Sequence, residues 1–342
     1  MSKGLIVVTG ASGFIAKHIV LQLLDEGHAV RATVRSNARA DELRTAMTEH
    51  VRDTSDLDRR LSFALLDLER DEGWDAALTG ANALIHTASP FPLVQPKDEN
   101  AIIRPAVDGT FRALRAAKRL GVSRVVLTSS GLAVLLARPN GKAPLDERDW
   151  SSPDDPRATP YVKSKILAER AAWRFVEQEA PELKLSVINP GFVIGAPLDR
   201  SFGTSLRVIQ RILEAKDPML PNFGFPVVDV RDVARMHVAA LERTDAVGKR
   251  FLGGDEFLWF PQMAQILKSA FPDRSIVTRR APNFVIRMLS LVDAEVRTIV
   301  PNLDQRADVT AERARRELGV TFRPAADAVV SAGQFLIENK LA

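Results

Sequence analysis

Along the first half of the chain, short apolar runs alternate with stretches in which apolar positions recur every three or four residues. Runs at Leu5 to Thr9, Ala29 to Val34, Ser62 to Leu66, Ala83 to His86, Arg124 to Thr128 and Leu185 to Asn189 are mostly apolar, in most cases with β-branched residues, and short, so they predict strands. Helical patterns separate them. Phe14, Ile15, Ile19, Leu23 and Leu24 share one side of a helix ending near Gly27, and others cover Asp41 to His50, Gly73 to Leu78, Val107 to Leu120 and Tyr161 to Glu179. Strands spaced by helices pair in parallel through right-handed crossovers. The expected class is α/β, a doubly wound parallel sheet.

After Asn189 the alternation fades, and Pro190, Pro197, Pro218, Pro221 and Pro226 punctuate the chain around a helical stretch at Thr204 to Ala215. The run Val227 to Val230 and the helix Arg231 to Leu241 read as a return to the main domain; from Asp255 onward the pattern is helices with short links. Two units are expected: a dinucleotide-binding domain over 1–189 and 226–253, and a smaller, mostly helical substrate lobe over 190–225 and 254–342. A length of 342 residues suits that division.

Composition removes several alternatives. The sequence has no cysteine, which excludes disulfides, thiolate metal sites and cysteine nucleophiles. The formal charge is +4, but the arginines are spread along the chain and read as solvated helix faces rather than a nucleic-acid surface. The apolar run Leu5 to Val8 is too short for a signal core or a membrane span, and no later segment is long enough. No nucleic acid, no membrane and a cytoplasmic setting are expected. Neither His86 nor His237 has a second histidine or a carboxylate cluster at ligand spacing, so no metal is expected.

The first strand opens into Thr9-Gly10-Ala11-Ser12-Gly13-Phe14-Ile15-Ala16, just before a helix. Gly10 can make the tight turn, Gly13 lets a pyrophosphate approach the backbone, and the helix start offers free N–H groups and the positive dipole end. Ala16 is small enough for close helix–strand packing. After strand two, where NAD-binding chains usually carry an acid, stands Arg35, followed by Ser36 and Asn37. A guanidinium there can hold the 2′-phosphate of NADP, which a carboxylate would repel. Arg31 and Arg39 read equally well as surface arginines. Asp67, after strand three, can accept from an adenine amino group or be a plain turn aspartate.

The single tyrosine, Tyr161, precedes Lys165 by four residues on one helix, with Thr159 placed to cap it and Pro160 at its first position. That spacing puts both side chains on one face. An ammonium beside a phenol is expected to lower the phenol's pKa, and such a tyrosine can donate a proton to a carbonyl oxygen as hydride reaches the carbon. Thr128-Ser129-Ser130 ends strand five at the sheet edge where ligands bind, and a serine hydroxyl there can stabilise a developing oxyanion.

Together, TGASGFIA at 9–16, ATVR at 32–35, HTASP at 86–90, VVLTSS at 125–130, YVKSK at 161–165, VINPG at 187–191 and DVRDVARMHVAAL at 229–241 resemble the extended short-chain dehydrogenase/reductases, within them the dihydroflavonol, cinnamoyl-CoA and aldehyde reductase group. The resemblance implies a Rossmann-like fold and NADP(H). It makes Tyr161 the general acid, Lys165 its tuner and a partner of the nicotinamide ribose, and Ser130, rather than Ser129, the donor to the substrate oxygen. Arg35 would hold the 2′-phosphate, Asp67 and Leu68 would contact adenine, Thr87 and Ala88 would line the cofactor's middle, and Pro190 and Val193 would border the nicotinamide. Thr9, Gly10, Ser12, Gly13, Phe14, Ile15, Ser89 and Thr128 complete the expected cofactor contacts. Pro90, Phe91, Leu132, Phe192, Phe202 and Phe225 are candidate walls of an apolar substrate pocket.

The expected activity is reversible NADPH-dependent reduction of an aldehyde or ketone by a monomer or homodimer. A nucleotide-sugar epimerase or dehydratase, a steroid-type dehydrogenase and a non-catalytic NADP-sensing regulator stand as alternatives. Against the first, such enzymes usually hold NAD, which Arg35 disfavours; against the last, such proteins tend to lose the tyrosine or lysine. The cysteine pair of some plant cinnamoyl-CoA reductases is missing, and the stretch from Thr45 to Arg60 reads as a lengthened second crossover.

Overall fold

The computed structural model describes residues 4–89, 98–137 and 144–342. Among these residues ten strands are present: β1 (Leu5–Thr9), β2 (Ala29–Val34), β3 (Leu61–Leu65), β4 (Ala83–His86), β5 (Arg124–Thr128), β6 (Lys184–Pro190), β7 (Phe192–Ile194), β8 (Gly224–Asp229), β9 (Arg250–Gly253) and β10 (Glu256–Trp259). Seven form a parallel sheet in the order β3-β2-β1-β4-β5-β6-β9. The order reverses between β1 and β4, which opens a crevice beyond the carboxyl ends of the strands.

The largely apolar sequences of the central strands β1, β4 and β5 follow from burial on both faces. Side chains alternate along a strand, so Ile6 and Val8 pack with Ile19, Leu23, Leu43 and Met47 on one side. Val7 turns the other way, among Leu84, Val125, Leu114 and Phe175. Each fully buried side chain of this kind contributes about 1.5–3 kcal/mol of apolar burial. The helix Asn100–Arg119 starts seven residues before the expected Val107. Its Pro105 lies early enough that the helix loses only one bond, at the exposed Ala101 carbonyl.

The second half departs from the sequence reading in two ways. Of the run expected at Val227 to Val230, the first three residues end β8, which belongs to a separate three-stranded sheet, β10-β8-β7, and Val230 opens the next helix. The chain returns to the main sheet through the helix Val230–Glu242, which contributes Ala234, Met236 and Val238 to the main core, and then through β9. The stretch after Asp255, expected as helices with links, opens with β10. The small sheet packs on the helices Thr204–Leu213, Phe260–Ala270 and Ala325–Glu338 through Val193, Val228, Ile209, Met263, Val329 and Leu336. Among the described residues, no helix is long and apolar enough to cross a membrane.

Candidate active site

The crevice at the strand ends is one continuous cavity of about 1310 Å³. It reaches from the turn after β1 to the small sheet, so both halves of the chain contribute walls.

At one end the chain leaves β1 through Gly10, whose φ of +61° favours glycine and where a Cβ would lie 2.9 Å from the Ala88 Cα. Gly13 precedes the helix Phe14–Asp25 and offers no side-chain cap, so the first-turn N–H groups stay uncovered beside the cavity. This cradle fits a pyrophosphate. Ser12, Gly13, Phe14 and Ile15 line it. Buried Lys17 holds Asp199 at 2.5 Å and the Ser201 carbonyl at 3.2 Å, which ties the loop before Phe202 to the helix carrying the cradle.

Thr9, expected as a cofactor contact, is fully buried and does not line the cavity. Its hydroxyl oxygen accepts the N–H groups of Thr87 and Ala88 at 3.1 and 3.2 Å, so its proton goes to His86 Nδ1 at 2.8 Å. Thr9 thus shapes the segment after β4 from beneath. Burial lowers His86 to about 3, so the ring is neutral. His237 is likewise neutral, lowered by burial to about 4; its Nδ1–H donates to the Val233 carbonyl and its Nε2 accepts from the Thr128 hydroxyl at 2.7 Å. Both histidines brace strand ends.

Arg35, Asp67 and Leu68 line the far side of the cavity together with Arg39. Arg39 bonds Glu42 at 2.6 Å and the Ser201 hydroxyl at 3.2 Å, so it is part of the wall rather than a remote surface arginine. Arg31 instead donates to the carbonyls of Ala77 and Thr79.

At the other end, Thr159 caps the helix Pro160–Gln178 by accepting the Val162 N–H, and the helix presents Tyr161 and Lys165 to the cavity. The Lys165 Nζ is 5.7 Å from the centre of the Tyr161 ring. Burial lowers Lys165 to about 8 and pushes the Tyr161 phenol above its ordinary value. The downward pull expected from the ammonium does not overcome desolvation, so at neutral pH the phenol keeps its proton.

Ser129 and Ser130 separate cleanly. The Ser129 hydroxyl is buried and donates to Glu169 at 2.5 Å. Ser130 lines the cavity, and its oxygen accepts the Leu132 N–H at 3.2 Å, which leaves its O–H available to a ligand.

Thr87, Ala88, Ser89, Thr128, Leu132, Pro190, Val193 and Phe202 also line the cavity. Phe192 stacks on Phe225 at 5.1 Å and Phe223 meets Phe225 edge-on at 4.7 Å, forming an aromatic wall. Pro90 and Phe91 lie outside the described residues. Phe223 and Phe257 are wall residues that the sequence reading missed; Phe223, two residues before Phe225, shares its side of an extended chain. Glu26, His28 and Glu242 bring possible ligand atoms within 4.8 Å of one another, but none of the three lines the cavity.

Residues 6–252 match the model of the NAD dependent epimerase/dehydratase family. Cinnamoyl-CoA reductase 2 of Arabidopsis thaliana is 35% identical over 279 residues, covering 80% of each chain. The yeast methylglyoxal/isovaleraldehyde reductase Gre2 complexed with NADPH superposes with a TM-score of 0.81 at 25% identity, covering 99% of this chain and 100% of that one. Gre2 of Candida albicans in complex with NADPH gives 0.79 at 29% identity over 98% of each chain. A chain with this cradle and sheet order, matched over most of its length, belongs to the NAD dependent epimerase/dehydratase family, among the extended short-chain dehydrogenase/reductases.

Proposed function

We propose that this chain is an NADPH-dependent reductase of aldehydes or ketones, working reversibly, with Tyr161, Lys165 and Ser130 as its reacting group. The observation that carries this reading is the meeting of Tyr161, Lys165 and Ser130 in the same cavity as the Gly10–Gly13 cradle. NADPH, when bound, supplies the hydride. The Ser130 hydroxyl donates to the carbonyl oxygen and stabilises the charge that develops there. Tyr161 gives that oxygen its proton, and a phenol held protonated by burial suits the reductive direction. The Lys165 ammonium stabilises the phenolate left behind. Arg35 and Arg39 hold the 2′-phosphate. The aromatic wall of Phe192, Phe223 and Phe225 excludes water around an apolar carbonyl substrate. The small sheet β10-β8-β7 and the segment leading into it supply that wall.

The test mixes purified protein and NADPH with methylglyoxal, isovaleraldehyde, cinnamoyl-CoA and UDP-glucose in turn. Loss of reduced-cofactor absorbance with one or more carbonyl compounds, and none with UDP-glucose, is expected. Tight NADPH binding without oxidation by any carbonyl, or interconversion of UDP-glucose alone, would contradict the reading.

A further inference from the structure

Beneath the reacting group lies a buried polar cluster that the proposed chemistry does not itself use. Glu169 is 1% exposed and sits on the helix Pro160–Gln178, four residues after Lys165 and eight after Tyr161, on the same face. A carboxylate buried that deeply is costly unless each oxygen is satisfied. Its Oε1 accepts the Arg250 Nε at 2.5 Å. Its Oε2 accepts the Ser129 hydroxyl at 2.5 Å and the Asn189 side-chain amide at 2.7 Å. The same Asn189 amide nitrogen donates its other proton to the Ser130 carbonyl at 3.1 Å. Arg250 is fixed in turn by the carbonyls of Glu147 and Asp149 and by the Trp150 ring, 3.6 Å from its guanidinium carbon.

An ion pair with Arg250 alone would satisfy a purely structural need. The second oxygen reaches the other way, to the ends of β5 and β6, and through Asn189 to the main chain of Ser130. Glu169 therefore links the helix carrying the phenol and ammonium to the residue carrying the oxyanion donor. We propose that Glu169 is a positioning residue that fixes Ser130 relative to Tyr161 and Lys165. This rests on the reading of Ser130 given above. The device is rigid: Glu169, Ser129, Asn189 and Arg250 are all buried, and the bonds join the helix to β6, to β9 and to the segment that follows β5.

The probe is Glu169→Gln, which keeps the shape but must turn an NH₂ donor towards either the Arg250 guanidinium or the Asn189 amide nitrogen, both donors, while the Ser129 hydroxyl can rotate to accept. Displacement of Ser130 by a fraction of an ångström is expected to lower kcat about tenfold to a hundredfold, with NADPH binding little changed. A merely structural role would cost stability without depending on Ser130, so the deciding readout is a double-mutant cycle. Turnover of the responsive carbonyl is measured for the parent, Glu169→Gln, Ser130→Ala and the double variant, each shown by circular dichroism and NADPH titration to be folded. Ser130→Ala is expected to lower kcat about a hundredfold or more, and Glu169→Gln is expected to add little in that background. Equal fold losses in both backgrounds, or parental turnover by Glu169→Gln, would overturn the proposal. Parental turnover by Ser130→Ala would instead sink the reading of Ser130 beneath it. If Glu169→Gln does not fold, the same cycle is run with Ser129→Ala, which removes one partner of the carboxylate, and the same two outcomes decide.

Discussion

Tyr161→Phe is expected to lower kcat for carbonyl reduction by about a hundredfold to ten-thousandfold, while NADPH titration gives nearly the parental affinity. The substitution removes one hydroxyl and leaves the ring, so the packing of the helix against the cavity is kept. No second phenol can substitute, because Tyr161 is the only tyrosine in the chain. The pH dependence of the parent should report the same group. Burial lowers Lys165 to about 8, below the ordinary lysine value, so its charge is present below that pH and is lost as pH rises through it. The phenol is pushed upward and stays protonated throughout. The kcat/KM for reduction should therefore be level near neutrality and fall above about pH 8. Lys165→Arg, whose guanidinium keeps its charge, should move that limb upward. A Phe variant with parental turnover would remove Tyr161 from the chemistry.

The other large effect is on cofactor choice. Arg35→Asp combined with Arg39→Gln is expected to shift the ratio of kcat/KM for NADPH over NADH by about a hundredfold to a thousandfold towards NADH. Each charge-assisted contact to a phosphate is worth about 1.5–3 kcal/mol, and about 1.4 kcal/mol is tenfold. The two side chains stand together on the cavity wall. The new carboxylate would both repel the 2′-phosphate and accept from free ribose hydroxyls. Initial rates with each cofactor over a concentration series give the ratio. An unchanged preference would place the 2′-phosphate elsewhere.

How much of this could be read from sequence depended on whether a feature is local. The turn after β1 and the Tyr161–Lys165 pair are each encoded within a few consecutive residues, where spacing fixes geometry. The choice of Ser130 over Ser129 came from resemblance, and the structure adds the physical difference between them: one hydroxyl is committed to Glu169, the other faces the cavity. The features that were missed join distant segments. Glu169 and Arg250 are 81 residues apart, and nothing near either one marks the pairing. β9 has four residues and begins with an arginine, too short and too polar at its start to stand out. β8 looked like a strand but its sheet could not be inferred, because its partners β7 and β10 are shorter still. Thr9 sits in the phosphate-loop motif yet turns its hydroxyl inward to His86, a choice made by a strand 77 residues away.

Isotope transfer tests hydride delivery most directly. Isovaleraldehyde, or whichever carbonyl compound responds, is incubated with the protein and NADPH carrying deuterium stereospecifically at the nicotinamide C4, and the alcohol is examined by mass spectrometry. One deuterium on the carbinol carbon is expected, from only one of the two stereospecific labels. Alcohol that carries no deuterium from either label would contradict the mechanism, as would tight NADPH binding with no alcohol formed from any carbonyl compound.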